Sequence, residues 1–221
     1  MNTISIESLI HSTTEAIDSG DFVAAVNFAK SATLLAPSEV DAWALLAHSR
    51  SELNDFQGAI DAATTALQID PENESAMLSL AWSEQNLKRW EASLEHYRLL
   101  PERYPENASD HHNIAAILQR LDRHKEAIDA INRSLEIRPD HPPEYSMLSH
   151  SLQEIGQYQS AIADFDKAIA LNPGYADACA NKGKSLPLLN RHDEAFAAYD
   201  KALSIKPDLA EAWLGRGNAF T

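Results

Sequence analysis

Six prolines recur in this chain at a fixed interval of 34 residues. They are Pro37, Pro71, Pro105, Pro139, Pro173 and Pro207. A period of this length, with a proline near the end of each unit, is typical of two-helix repeats. Because such a repeat buries its apolar residues only against its neighbours, arrays of them work mainly as binding surfaces. The spacing therefore predicts an all-α fold and favours binding over catalysis.

With the recurring proline placed at position 32, the chain divides into six full repeats and a partial seventh. Their ranges are 6–39, 40–73, 74–107, 108–141, 142–175, 176–209 and 210–221. Within a repeat the apolar residues follow helical spacing, as at Ile162, Phe165 and Ile169. Polar pairs such as Gly156-Gln157 mark a turn between two helices. We predict a helix A over about positions 2–14 and a helix B over about positions 18–30, in a single α-solenoid domain over residues 1–221.

Small side chains recur at two positions where the helices of a repeat are expected to cross. Position 8 is Thr13, Ala47, Ala81, Ala115, Ser149, Gly183 and Gly217, and position 20 is Ala25, Ala59, Ser93, Ala127, Ala161 and Ala195. Large residues alternate with them, among them Trp43 and Trp213 at position 4 and Trp90 and Tyr158 at position 17. Larger residues at the small positions would hold the two backbones apart.

This pattern resembles the tetratricopeptide repeat family over residues 6–221. The segments GQYQSAIADFDKAIALNP (156–173) and NRHDEAFAAYDKALSIKP (190–207) are strong matches to its second helix. The resemblance implies a right-handed α-solenoid in which the helices A line a concave groove. The last repeats also resemble the repeat arms of larger proteins, including bacterial glycosyltransferases of the protein O-GlcNAc transferase type.

The family resemblance implies that a peptide would contact helix A through positions 2, 5, 6, 9, 12 and 13. The candidate peptide-binding residues are His48, Trp82, Gln85, His112, Asn113, Gln119, Arg120, His150, Gln153, Asn181 and Lys184. A row of carboxamides suits an extended peptide, because each amide can donate to a carbonyl and accept from an N–H. Alternatively, these amides are ordinary surface residues of a solvated helix. Trp82 is a candidate anchor, since an aromatic residue at an outward position has no core to fill.

Other site chemistries fit the sequence poorly. A carboxylate clamp of the kind found in the same family needs a basic residue at position 5, and that position holds no Lys or Arg here. His111, His112 and His150 suggest a metal site, but adjacent helical residues point about 100° apart. No H-E-x-x-H motif, Cys/His spacing or catalytic motif occurs. We expect no metal, no cofactor and no enzymatic activity.

The composition restricts the partner and the compartment. The net charge of −15 argues against nucleic acid, whose phosphates require clustered Lys and Arg. No apolar run reaches the ~20 residues of a membrane helix, and no signal peptide is evident from Met1 to Gly20. Cys179 is the only cysteine, which excludes an intrachain disulfide, and its position predicts a buried thiol. These features predict a cytoplasmic protein.

Three places depart from the regular pattern. Pro101 falls inside the third helix B, which we expect to be short or bent. Pro187 interrupts the end of the sixth helix A. In the last helix A, Trp213 and Phe220 have no helix B to pack against within residues 1–221. A continuation of the chain, the last helix itself or a second copy of the protein would each cover them.

The sequence thus predicts a non-catalytic interaction module that binds a peptide segment of a partner protein in its concave groove. The alternative is the substrate-recognition arm of a larger enzyme, such as a glycosyltransferase, whose catalytic domain lies beyond residue 221. A third hypothesis is self-association through the C-terminal edge, at Trp213 and Phe220.

Overall fold

The computed structural model describes residues 5–103 and 105–218. Within these residues the chain forms thirteen α-helices and one short 3-10 helix, and it contains no strand. The chain separates into two compact bodies, residues 1–105 and residues 106–221, named here the N-terminal body and the C-terminal body. The expectation that residues 1–221 form a single domain stays a prediction.

The N-terminal body contains three pairs of helices. They are α1 (Ile6–Asp18), α2 (Phe22–Leu35), α3 (Val40–Glu52), α4 (Phe56–Ile69), α5 (Glu74–Asn86) and α6 (Trp90–Arg103). The odd-numbered helices are helices A, and they lie side by side. The helices B that precede α3 and α5, which are α2 and α4, each pack against their own helix A and against the next. This alternating contact is the packing of an α-solenoid.

The C-terminal body continues the same alternation. Its helices are α7 (Ala108–Arg120), α8 (His124–Ile137), α9 (Pro142–Glu154), α10 (Tyr158–Leu171), α11 (Ala176–Ser185), α12 (His192–Ile205) and α13 (Ala210–Asn218), with the 3-10 helix at Leu186–Leu189 between α11 and α12. The helices A are again odd-numbered and contact one another in succession.

The repeating residues explain where these helices begin and end. Every helix B ends two residues before its proline, because the residue before a proline is pushed towards extended geometry. The turn from helix A to helix B contains a residue with positive φ at position 15 of all six full repeats: Gly20, Asn54, Lys88, Asp122, Gly156 and Asn190. Gly, Asn and Asp enter this left-handed region at the lowest cost. Lys88, at φ 59°, is the exception.

The predicted packing of the small residues at position 20 is confirmed, whereas Gly217 at position 8 and Trp213 at position 4 are exposed. Position 20 is fully buried in every full repeat, as at Ala25, Ala59 and Ser93. Two position-4 tryptophans fix the turn that precedes their helix. Trp43 Nε1 donates to the carbonyl oxygen of Pro37 at 2.9 Å, and Trp213 Nε1 donates to that of Pro207 at 2.8 Å.

The two unusual prolines have different consequences. The expected shortening at Pro101 is wrong, because α6 has the same 14 residues as the other helices B. A proline at this place removes one N–H donor from the last turns of the helix, and α6 nevertheless continues to Arg103. The interruption at Pro187 is confirmed, since α11 stops at Ser185 and the chain continues as the 3-10 helix.

Candidate functional site

The C-terminal body contains an open cleft of roughly 630 Å³ on the side formed by its helices A. Its lining residues come from α9, α10, α11, the 3-10 helix and α13, and they are His150, Gln153, Glu154, Tyr158, Asn181, Lys184, Leu188 and Glu211. Four of the predicted residues therefore meet here: His150, Gln153, Asn181 and Lys184. The volume lies in the range of ligand pockets, and the lining is mainly polar, with Tyr158 and Leu188 as its apolar part.

The glutamines at position 12 join neighbouring helices A. Gln119 Nε2 donates to the carbonyl oxygen of Met147 at 2.8 Å and to Ser151 Oγ at 2.7 Å. Gln153 Nε2 likewise donates to the carbonyl oxygen of Asn181 at 3.2 Å and to Ser185 Oγ. Because a carbonyl oxygen can only accept, the amide nitrogen must face it, which fixes the orientation of both side chains. Both donors of each glutamine are thus used within the fold, and only Oε1 is left for a ligand.

Charged residues line the cleft on both sides. Lys184 Nζ lies 2.9 Å from Glu211 Oε2, which joins α11 to α13. This hydrogen bond lowers the pKa of the Glu211 carboxyl. Glu154 is exposed at the end of α9 and makes no ion pair within the described part of the chain. His150 contacts the His124 ring edge-to-face, with 6.1 Å between the ring centroids.

Sequence reasoning did not place Tyr158, Leu188 or Glu211 at the site. Tyr158 is the first residue of a helix B, and positions of helix A alone were considered. Leu188 lies in the 3-10 helix that follows the break at Pro187, and it is 58% exposed. Pro187 was the available signal, because a helix that ends early releases the residues after it from the regular helical positions.

The other predicted residues of the C-terminal body lie outside this cleft. Arg120 is exposed at the end of α7, and Asn113 is half-buried within it. Gln119 packs on α9, as described above. His112 is directed instead at a buried acid, with its Nδ1 3.3 Å from Glu144 Oε1.

Glu144 belongs to a polar cluster that replaces an apolar contact. It occupies position 3, which in four other repeats is a fully buried alanine: Ala42, Ala76, Ala178 and Ala212. Its fully buried side chain accepts from Ser134 Oγ at 3.2 Å and from Arg138 Nη2 at 3.0 Å. His141 Nδ1 contacts its other oxygen. Asp110, buried at position 3 of the preceding repeat, is a second acid at this normally small position.

Two histidines beside Glu144, His112 and His141, have a pKa below the ordinary value. Burial lowers the pKa of His112, and the positive charge of Arg138 lowers it further. The same two causes, in the same order, lower the pKa of His141. Because Arg138 already pairs with Glu144, a protonated imidazole would bring a second positive charge to a single carboxylate.

The predicted residues of the N-terminal body, His48, Trp82 and Gln85, lie on α3 and α5. Trp82 is 42% exposed on α5, and its carbonyl oxygen accepts from Asn86 Nδ2. The ring of His48 contacts Phe22 edge-to-face, with 6.3 Å between the centroids. Gln85 Oε1 is buried and has no hydrogen-bond partner among the described residues.

Several further expectations concern single residues or segments. Cys179 is buried, and burial raises the pKa of its thiol. No described helix is long and apolar enough to cross a membrane. No group of His, Cys, Asp and Glu able to hold a metal ion occurs in residues 5–103 or 105–218. Trp213 is 54% exposed, whereas Phe220 lies outside the described residues.

Comparison with solved structures defines the class of the fold. A tetratricopeptide repeat protein from Parabacteroides merdae aligns with a TM-score of 0.78 and 19% identity, over 98% of this chain and 86% of that chain. YrrB, described as a TPR protein with an unusual peptide-binding site, aligns with a TM-score of 0.77 and 19% identity, over 86% and 97%. PilF of Pseudomonas aeruginosa aligns with a TM-score of 0.77 and 17% identity, over 96% and 97%. The fold is thus an α-solenoid of helical repeats.

Family models identify the repeat itself. Three tetratricopeptide repeat models match residues 50–118, 106–173 and 146–210, which together extend from 50 to 210. No curated protein matches the sequence significantly. The chain belongs to the tetratricopeptide repeat family, whose members are in general non-catalytic scaffolds for protein–protein interaction.

Proposed function

We propose that this chain is a non-catalytic interaction module that binds a peptide segment of a partner protein in the cleft of its C-terminal body. The observation that carries this proposal is the cleft itself. It combines hydrogen-bonding groups on the exposed His150 and the half-buried Asn181 with apolar surface on Tyr158 and Leu188. Interfaces of this mixed kind fix a ligand through a few polar contacts and gain affinity from the apolar area that they bury.

A comparison of two triple variants tests the proposal. The cleft variant carries His150→Ala, Asn181→Ala and Leu188→Ser. The control variant makes the same three changes at exposed residues of the N-terminal body: His11→Ala, Asn27→Ala and Leu34→Ser. Peptides are first selected on the unmodified protein from a library of short random sequences, and their affinities for all three proteins are then measured.

The cleft variant is expected to bind the selected peptides at least about tenfold more weakly, a loss of ~1.4 kcal/mol. The control variant should bind them as the unmodified protein does. Equal binding by the cleft variant, with its helical content unchanged, would contradict the proposal. The same proteins used as bait in a cell extract should then identify the natural partner as the protein that the cleft variant alone fails to capture.

A further inference from the structure

Two acceptors of the cleft, the Glu154 carboxylate and Gln153 Oε1, have no partner among the described residues, whereas its lysine is paired. Lys184 is the one Lys or Arg among the lining residues, and Glu211 pairs with it at 2.9 Å. Glu154 lines the same cleft and makes no ion pair with any described residue. Arg120, which occupies the equivalent position of α7, does not pair with it either. The lining therefore presents one carboxylate, that of Glu154, which pairs with no cation in residues 5–103 or 105–218.

The fixed orientation of Gln153 adds a second acceptor. Its two N–H donors are used by the Asn181 carbonyl oxygen and by Ser185 Oγ. Its Oε1 accepts no hydrogen bond within the described residues, and the side chain lines the cleft. A ligand group that meets Gln153 must therefore donate a hydrogen bond.

The apolar lining suits a long side chain. Tyr158 and Leu188 line the same cleft as Glu154 and Gln153. The methylene stem of a lysine or arginine packs on such surfaces while its charged end reaches an acceptor. An aromatic ring also attracts a cation that lies over its face.

We propose that the cleft binds a lysine or arginine side chain of the partner segment, with Glu154 and Gln153 Oε1 as its acceptors and Tyr158 and Leu188 beside its stem. The inference rests on the proposed function and adds the chemistry of the segment to it. The excess of negative charge over the whole chain, −15, favours the approach of a basic partner.

Small probes test the charge preference directly. N-acetyl-arginine N-methylamide is titrated into the isotope-labelled protein, and NMR follows the side-chain amide of Gln153. N-acetyl-citrulline N-methylamide is the matched probe, because it has nearly the same shape and no charge. Glu154→Gln is the test variant, and Glu52→Gln, which removes an exposed carboxylate at the same repeat position, is its control.

The arginine probe should shift the Gln153 signals and bind the unmodified protein several-fold more tightly than the citrulline probe. Glu154→Gln should weaken arginine binding by about three- to fivefold, the range of an exposed ion pair, and Glu52→Gln should leave it unchanged. Equal binding of the two probes, an unchanged affinity in Glu154→Gln or the absence of any shift would each overturn the inference. The inference would also be overturned if the selected peptides bind in the cleft but contain no Lys or Arg, and in that case the proposed function would still stand. If no peptide depends on the cleft, both fail.

Discussion

Single atoms decide which residue the fold accepts at a repeat position. Position 8 is small throughout, yet Gly183 and Gly217 have different surroundings. A Cβ atom on Gly183 would lie 2.8 Å from two carbons of the Tyr199 ring, whereas a Cβ atom on Gly217 would meet nothing within 4 Å. Tyr199 itself is 2% exposed, so its ring has little room to move. The same sequence position is therefore restricted in one repeat and permissive in another.

Gly183→Ala is expected to lower the free energy of unfolding of the C-terminal body by ~1–3 kcal/mol, because the added methyl overlaps the Tyr199 ring. Gly217→Ala should be neutral or stabilising by up to ~1 kcal/mol, since alanine favours the helix. Denaturant titrations measure both changes. The double variant Gly183→Ala, Tyr199→Leu should lose less free energy of unfolding than the sum of the losses in the two single variants. Additive losses would contradict an overlap between the added methyl and the Tyr199 ring.

At the scale of the element, the turn between helix A and helix B is the most uniform part of the repeat. Its position 15 is left-handed in all six full repeats, and glycine or a short polar side chain occupies five of them. A lysine in this conformation brings its Cβ close to the backbone, which costs roughly 1–2 kcal/mol. Lys88 therefore carries local strain that the other turns avoid.

Lys88→Gly is expected to stabilise the N-terminal body by ~0.5–1 kcal/mol, because the relief of strain exceeds the added freedom of the unfolded chain. Lys30→Gly, which makes the same change in the interior of α2, should instead destabilise the N-terminal body by ~0.5–1 kcal/mol. Both values come from chemical denaturation. If Lys88→Gly destabilises the N-terminal body, the contacts of the lysine side chain stabilise the fold by more than its backbone strain destabilises it.

The sequence predicted the individual helices better than it predicted the cleft. The prolines and small residues predicted helices A and B, and both follow from local preferences of the backbone. The cleft was predicted only in part. The position of Leu188 depends on how the chain continues after Pro187, and the orientation of Gln153 depends on a carbonyl oxygen of the next helix A. The first depends on the break of α11 and the second on a neighbouring repeat, and neither follows from the pattern that the repeats share.

At the scale of the whole molecule, the pKa of one histidine is raised in the N-terminal body, and the pKa values of three histidines are lowered in the C-terminal body. In the N-terminal body, a 2.8 Å hydrogen bond to Glu84 raises the pKa of His96. In the C-terminal body, burial lowers the pKa of His111, His112 and His141. A pKa that differs between the folded and unfolded states makes stability depend on pH.

The two bodies should therefore respond to acid in opposite directions. The contribution of His96 is fully present below the unfolded pKa of ~6.5 and is lost as pH rises through its folded pKa. The contribution of neutral His112 and His141 is present above ~6.5 and is lost as pH falls towards their lower folded pKa values. Hydrogen exchange at about pH 7.5 and about pH 5.5, corrected for intrinsic rates, measures each body separately.

At the lower pH, the backbone amides of α6 should exchange more slowly than at the higher pH, and those of α9 should exchange faster. His96→Gln should remove the first trend and His141→Gln should reduce the second. A change of protection in the same direction in both bodies would contradict the opposite pKa shifts of His96 and of His112 and His141.

The buried acid at Glu144 also limits how this protein can be rearranged. Glu144 lies in the fifth repeat, but Ser134, Arg138, His112 and His141, which surround it, all lie in the fourth. A recombination event or a chimaera that moved the fifth repeat next to any other would bury its carboxylate without those groups. Repeats four and five are thus one heritable module of 68 residues (108–175), inside an array whose period suggests modules of half that length.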